Sequence, residues 1–535
     1  MKKSNPRVLL ISPYKKAELR VGQYFAPSIG VNRIASYIKS KSSAEVEVFD
    51  PDLQGEDKLY GLVRNNHFDI IGFSLLHPTL KNDLPLISKI KLYSPDSILL
   101  AGGQGAVFSI DFLLNRTPLQ IIVKGFGEMP LLEIIKNINN GGTISDRFGD
   151  VAGLAIKCED NTCEPRIFHT KPREHCTLAE FDEITSCFEF HNVPYEQYWE
   201  HMERCYSKKH LKLMKNNDLL RTVRIVTSSH CTNCCTFCSS TNFLRNGNGR
   251  PASLMLSPKA IIRVMKKCVS AHPTLTAIYF CDDNFLIDRE RILVLCSLIK
   301  QEEALRELSF FCLSRVDNVD PIILKEMREA GFKFIIYGVE SFSNKVLTDM
   351  NKRINHQDPA EKAKKAVLDS IEAGIDPLMN IILFYPTSDL ADITQTIEST
   401  LDMVEAGSRI TVYSYIEAYP GSHILNNRNL EFEYETFTID GTEFTLPKLI
   451  MPFSKEVNMV ARQSLDLREK LLSMILKKYN WKGVVPHPLY GLILFLAVYK
   501  LLQRDTSRIE DLIDRIMSEG CEIIEKQVEK RVQER

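Results

Sequence analysis

Residues 222–238 read Thr-Val-Arg-Ile-Val-Thr-Ser-Ser-His-Cys-Thr-Asn-Cys-Cys-Thr-Phe-Cys. The first six, rich in β-branched residues, predict a strand. The chain then enters a loop with Cys231, Cys235 and Cys238 in an x3, x2 spacing. Three thiolates in one short loop can hold three irons of a [4Fe–4S] cluster and leave the fourth iron open, whereas a structural cluster takes a fourth cysteine. The competing reading is a structural zinc site. Zinc needs a fourth Cys or His, usually from a second pair, and here only Cys234 and His230 are near. Cys234 adjoins Cys235, so their side chains diverge. Ligand number and spacing therefore favour iron–sulfur, with Cys234 as a bystander.

Outward from this loop, six strand–helix units can be counted. Further strands fall at 277–280, 308–311, 334–337, 379–384 and 410–415, and helices at 257–271, 288–303, 320–330, 360–373 and 390–406. Ser or Asp stands at helix starts, and Gly331, Gly374 and Gly407 at helix ends. The second strand ends in Cys281-Asp282-Asp283-Asn284-Phe285 and the fourth in Gly338-Val339-Glu340-Ser341. A carboxylate at a strand end can take an ammonium by a charge-assisted hydrogen bond, or simply cap a helix. Arg315 could meet a ligand carboxylate, and a salt bridge at the rim is equally open.

Towards the N-terminus, short apolar runs at 8–11, 45–49, 69–73, 98–101 and 121–123 alternate with helical stretches. That alternation predicts a doubly wound parallel sheet, whose ligands bind beyond the carboxyl ends of the strands. Those ends carry Ser74-Leu75-Leu76-His77, Gly102-Gly103-Gln104-Gly105 and Gly125-Phe126-Gly127-Glu128. Small residues there let backbone approach a ligand closely.

The set resembles the cobalamin-binding domain, in which Ser-x-Leu follows strand three and Gly-Gly follows strand four. Ser74, Leu76, Gly102 and Gly103 match. The Asp-x-His-x-x-Gly of the cobalt-ligating version is missing, since the strand-one loop reads Ser-Pro-Tyr-Lys-Lys-Ala. The resemblance therefore implies cobalamin with no histidine from that loop. His77 is read as a structural histidine rather than a ligand. Cys231-x3-Cys235-x2-Cys238 likewise resembles the defining motif of radical S-adenosylmethionine (SAM) enzymes, and Asp282-Asp283-Asn284-Phe285 their cobalamin branch. Together these imply an N-terminal Rossmann-like domain (1–140), a connecting region (141–215), a partial (β/α)₆ barrel (216–425) and a mainly helical C-terminal region shaping the substrate site (426–535).

The same resemblance implies three cofactors: the [4Fe–4S] cluster, SAM and cobalamin. It puts Phe237 beside the adenine, Asp282 and Asp283 at the SAM amino group and Glu340 at the ribose. It implies methyl transfer to an unactivated carbon or phosphorus through a 5′-deoxyadenosyl radical and methylcobalamin. Cyclisation or rearrangement without methyl transfer is the alternative within the class. A cobalamin or redox sensor is the alternative outside it, against which stands the lack of a helix-turn-helix or basic patch. An electron donor such as flavodoxin or ferredoxin is the implied partner, and the substrate is a small molecule, lipid or peptide. No side chain is assigned as a catalytic acid, base or nucleophile.

Bulk properties agree. The 535 residues predict several domains, and a net charge of -1 gives no reason to expect nucleic acid as a partner. With no visible signal peptide, the 14 cysteines are expected in a reducing cytoplasm, where clustering favours metal over disulfide. Cys158 and Cys163 flank a turn between predicted strands 154–157 and 166–169, and Cys176, Cys187 and Cys205 lack ligand-like spacing, so these read as free thiols. The longest apolar run, 489–499, is about half of what a membrane span needs and reads as a buried helix. The last 25 residues are heavily charged and predict a solvated helix.

Overall fold

The computed structural model describes residues 5–16, 25–158, 166–205, 221–245, 249–352, 358–439, 441–481, 485 and 487–518. In the first sheet, strand alternation sends Leu9 and Ile11 into one buried layer and Val8 and Leu10 into the other. Strands β1 (Arg7–Ile11), β2 (Glu45–Phe49), β3 (Ile70–Ser74), β4 (Ile98–Gly102) and β5 (Ile121–Val123) pair in parallel. Their spatial order 2-1-3-4-5 puts the topological switch between β1 and β3, where such sheets bind ligands. The sheet does not stop near residue 140. Strands β6 (Leu154–Lys157) and β7 (Ile167–His169) add to it antiparallel, because β5 would otherwise leave an open edge of unpaired backbone groups. The hairpin is thus part of the sheet. Its turn, with Cys163, lies outside the described residues.

The loop after β1, lacking a histidine, is pinned instead by helix Leu80–Tyr93. The carboxylate of Asp83 accepts the Tyr14 N–H at 2.8 Å and the Thr79 hydroxyl at 2.5 Å, and the Asn82 amide donates to the Lys15 carbonyl at 2.9 Å. Asp83 is buried, and burial raises its carboxyl well above the usual carboxylate range. A raised folded-state pKa means that the folded protein holds this proton more tightly. Its stabilising contribution is present below about pH 4 and is lost as pH rises through the folded value. Asp83→Asn is therefore expected to flatten the fall in stability between about pH 4 and neutrality. Urea midpoints of both proteins at pH 5 and 7 check this, and an unchanged slope would contradict it.

The second sheet begins at the cysteine loop. Strands β8 (Thr222–Ile225), β9 (Ala277–Phe280), β10 (Ser309–Ser314), β11 (Phe332–Glu340), β12 (Asp376–Phe384) and β13 (Arg409–Glu417) run parallel in consecutive order. Helices Pro258–Ala271, Arg289–Gln301, Pro321–Glu329, Pro359–Glu372 and Leu390–Glu405 are the crossovers, each opened by a Ser or Asp whose side chain accepts backbone N–H bonds. This is the open six-unit barrel that the strand–helix count predicts. Strands β11 and β13 run longer than their apolar cores, carrying Glu340 and Glu417 out to the strand ends.

Residues after 426 first form a hairpin, β14 (Phe432–Ile439) and β15 (Thr442–Ile450), and β15 pairs antiparallel with β13. Helices Lys455–Lys478 and His487–Leu501 follow, the second lying against β13, where Gly491 leaves room for Ile410 and Val412. The apolar run 489–499 is thus a helix packed into the barrel core, and no helix among the described residues is long and apolar enough to cross a membrane. Of the charged tail, residues 519–535 lie outside the described residues.

The segments after β3 and β4 meet the β14–β15 hairpin and the loop after β13. Gly421, at φ +88°, has no Cβ, and the space is taken by the ring of Phe108, which caps the short helix after β4. His77 Nε2 is 3.0 Å from the Pro447 carbonyl, Lys81 pairs with Glu435 at 2.7 Å, and Phe112 packs edge-on against Phe444.

Candidate functional site

The cysteine loop is built by the network beneath it. Asp282 is 1% exposed. Its carboxylate accepts the Thr227 N–H at 2.9 Å, the Thr227 hydroxyl at 3.0 Å and the Ser228 hydroxyl. Arg291 donates to the Thr227 and Leu256 carbonyls. Burial raises the Asp282 carboxyl above the usual range. The sequence pairs Asp282 with Asp283 as SAM ligands. The structure separates them: Asp282 faces inward and fixes the strand-to-loop turn, while Asp283 is exposed and takes a hydrogen bond from Ser240.

Beyond that turn, Cys235 is buried and Cys231 and Cys238 half-buried. Burial pushes the Cys238 thiol up to about 11, and it also raises Cys235, against which Lys352 and Arg315 act as nearby cations. The Asn233 backbone and side-chain N–H groups donate to Cys231 Sγ at 3.4 and 3.3 Å, and Arg315 approaches Cys235 Sγ at 3.6 Å. Arg315 is mainly engaged by Asp317, at 2.9 Å, which realises the rim salt bridge. The loop is tied to the barrel by Thr236 N–H to the Met350 carbonyl, Asn351 Nδ2 to the Cys234 carbonyl and Ile424 N–H to the Thr236 carbonyl. Phe237 packs beside Tyr385 and Ile382, at the end of the fifth barrel strand.

Neither proposed fourth zinc ligand joins the loop cysteines. Cys234 is exposed, with Arg250 Nη1 2.8 Å from its sulfur, and His230 is buried with Nδ1 2.9 Å from the Ser229 hydroxyl. Among the described residues no group of three or more His, Cys, Asp or Glu side chains converges on a single-ion site. A cluster with one thiolate per iron corner spreads its ligands wider than one ion does, and three loop thiols flanked by cations and N–H donors fit it.

Glu340 stands at φ +68°, rare for a residue with a side chain and concentrated at functional sites. Its Oε1 accepts from Lys352 Nζ at 2.8 Å, and that ammonium also donates to the Gly338 carbonyl. A Cβ on Gly338 would stand 2.7 Å from Glu340 Oε1 and 2.8 Å from Lys352 Nζ, so a side chain there would have to displace the tips of this pair. Lys352 is a site residue the sequence reading misses.

Ser74, Gly102 and Gly103 line one cavity of about 270 Å³ between the first sheet and helices Ile29–Lys41 and Glu128–Asn137. Leu76 is not part of that lining. Its backbone instead abuts Gly105, where a Cβ would come within 2.7 Å of the Leu76 carbonyl carbon. Ser229 and Phe243, flanking the cysteine loop, complete the cavity wall. A mainly apolar slot lined by several glycines, with Arg33, Ser74, Glu128 and Ser229 among its polar residues, fits a flat aromatic tail such as that of cobalamin.

Residues 225–400 match the Radical SAM superfamily. The chain is therefore an enzyme carrying a radical SAM domain, with a second, largely parallel sheet before it. An uncharacterized methyltransferase of Pyrococcus horikoshii is 22% identical over 93% of this chain and 98% of its own length. Among solved structures, the cobalamin-dependent SAM radical enzyme OxsB, with aqua-cobalamin and SAM bound, superposes with a TM-score of 0.67 at 16% identity, covering 99% of this chain and 80% of that one. The radical SAM methyltransferase TsrM of Kitasatospora setae, with cobalamin and a [4Fe–4S] cluster, gives 0.64 at 13% identity, covering 94% and 100%. These likenesses establish the two-sheet fold.

Proposed function

We propose that this enzyme is a cobalamin-dependent radical SAM methyltransferase acting on an unactivated carbon or phosphorus. The observation that carries it is the shared wall: the slot lined by Ser74, Gly102 and Gly103 is closed by Ser229 and Phe243, which flank the cysteine loop. A corrin and an iron–sulfur cluster held by these two surfaces would face one reaction chamber. When bound, the cluster with SAM supplies hydrogen abstraction and the cobalamin supplies a methyl group.

The chain's own residues position and enclose these groups. Cys231, Cys235 and Cys238 hold the cluster. Asp283 and Glu340 offer carboxylates to the SAM ammonium and ribose. Ser74, Gly102 and Gly103 bound the tail slot. His77 on the Pro447 carbonyl and Phe108 on Gly421 seal one side of the chamber against water. His77 makes its contact with the hairpin, which supports a structural role for it. Electrons come from a small reductant protein such as flavodoxin or ferredoxin, and the substrate is a small molecule, lipid or peptide.

The test supplies SAM carrying a deuterated methyl group to the anaerobically reconstituted enzyme with candidate substrates. The expected product is heavier by the labelled methyl, with one 5′-deoxyadenosine and one S-adenosylhomocysteine formed per product. An unlabelled, rearranged or oxidised product with deoxyadenosine alone would move the enzyme to the cyclisation or rearrangement reading.

A further inference from the structure

Arg315 follows β10 directly, and only 8% of it is exposed. Two of its guanidinium nitrogens are taken by one carboxylate: Nε lies 2.9 Å from Asp317 Oδ1 and Nη2 lies 3.0 Å from Oδ2. The remaining nitrogen, Nη1, donates to Cys235 Sγ at 3.6 Å. The backbone beneath is pinned as well. Buried Asn284 accepts the Arg315 N–H and the Ser314 hydroxyl on one oxygen, each at 3.3 Å, and its amide donates to Asn318 Oδ1 at 2.9 Å. A rigid, planar fork gripped along one edge has little freedom in where its last nitrogen points. A rim ion pair explains the grip of Asp317 but not a guanidinium N–H aimed at a thiol sulfur.

We propose that Arg315 raises the reduction potential of the iron–sulfur cluster through its N–H bond to the Cys235 sulfur, with Asn284 and Asp317 as its positioning residues. This rests on the cluster reading of the cysteine loop and adds to it the means by which the cluster takes its electron. A cluster on three thiolates is anionic, and one electron from the reductant protein adds a further negative charge. A fixed N–H donor and a cation at one thiolate therefore stabilise the reduced form more than the oxidised one, and hydrogen bonds to the sulfurs are among the levers that set such potentials. Asp317 sits on the other edge of the guanidinium, so the sulfur faces the positive end of the pair. Burial keeps water from screening this contact. Lys352, the other cation acting on Cys235, is already bonded to Glu340 and the Gly338 carbonyl.

Redox titration of the reconstituted full-length protein without SAM, followed by electron paramagnetic resonance of the reduced cluster, tests this. Arg315→Met is expected to lower the reduced-to-oxidised ratio at a given potential by about tenfold or more, a fall of about 59 mV for a one-electron couple. Arg315→Lys cannot hold the Asp317 fork and reach the sulfur together, so its potential should fall too, and it decides the matter if Arg315→Met does not assemble a cluster. SAM affinity is measured alongside. An unchanged potential in the deciding variant reduces Arg315 to a rim ion pair and overturns the inference. An unchanged potential with weakened SAM binding overturns it in favour of a guanidinium that meets the SAM carboxylate. Wild type that holds no cluster would instead remove the cluster reading itself.

Discussion

Cys231→Ala, Cys235→Ala and Cys238→Ala are each expected to remove essentially all iron and sulfide from the anaerobically prepared protein, while Cys234→Ala keeps both. A cluster held by three thiolates has no spare protein ligand, and a vacated corner can be filled only by a residue already close to it. The two candidates point elsewhere: Cys234 is exposed beside Arg250, and His230 is turned inward onto Ser229. Arg250 keeps its bonds to the Cys231 carbonyl at 2.8 Å and the Asn233 carbonyl at 3.2 Å when Cys234 is lost, so the loop retains its shape. Iron and sulfide analysis of the four variants, with the 400 nm absorbance of the reconstituted proteins, decides the assignment. Comparable loss in Cys234→Ala would mean that the ligand set is wrong.

The spacing of these cysteines was readable because it is local, and the strand alternation was readable because buried strands need apolar runs of the right length. Glycines at 331, 374 and 407 marked helix ends for a similar reason: all three adopt positive φ, as the residue after a helix commonly does. What escaped the sequence reading depends on contacts far apart in the chain. Asp282 and Asp283 are neighbours of one type, and only the fold turns one onto Thr227 and leaves the other at the surface. Lys352 lies twelve positions after Glu340, beyond a short helix, with no periodic or motif signal to single it out. The strands near 154–157 and 166–169 were readable, but not that they extend the first sheet past residue 140, because that rests on the pairing of β6 with β5 some thirty residues earlier in the chain. That Ser74 lines the slot while the Leu76 backbone abuts Gly105 was not readable either, because a motif identifies a position without saying which of its atoms face the slot.

The Glu340–Lys352 pair is the place where site and stability are most tightly joined. Lys352→Met is expected to cost about 3–5 kcal/mol, the range for removing one partner of a buried ion pair. Both side chains are only about a tenth exposed, at 11% and 9%, so solvent does little to screen the carboxylate left behind. Glu340 also holds an unfavourable φ of +68°, and the register of β11 on β12 shifts between Gly338 and Glu340. The lysine, bonded to Glu340 Oε1 and the Gly338 carbonyl together, is what closes this irregular turn. Glu340→Gln should behave differently. Its amide oxygen can still accept from Lys352, so the fold survives, but the negative charge available to a ribose hydroxyl is gone. SAM affinity is then expected to fall by roughly 10–100-fold with only a modest change in stability. Urea denaturation of the apoproteins and equilibrium binding of SAM to the reconstituted proteins separate the two effects. A Glu340→Gln variant that binds SAM as wild type does would reduce Glu340 to a counterion for Lys352.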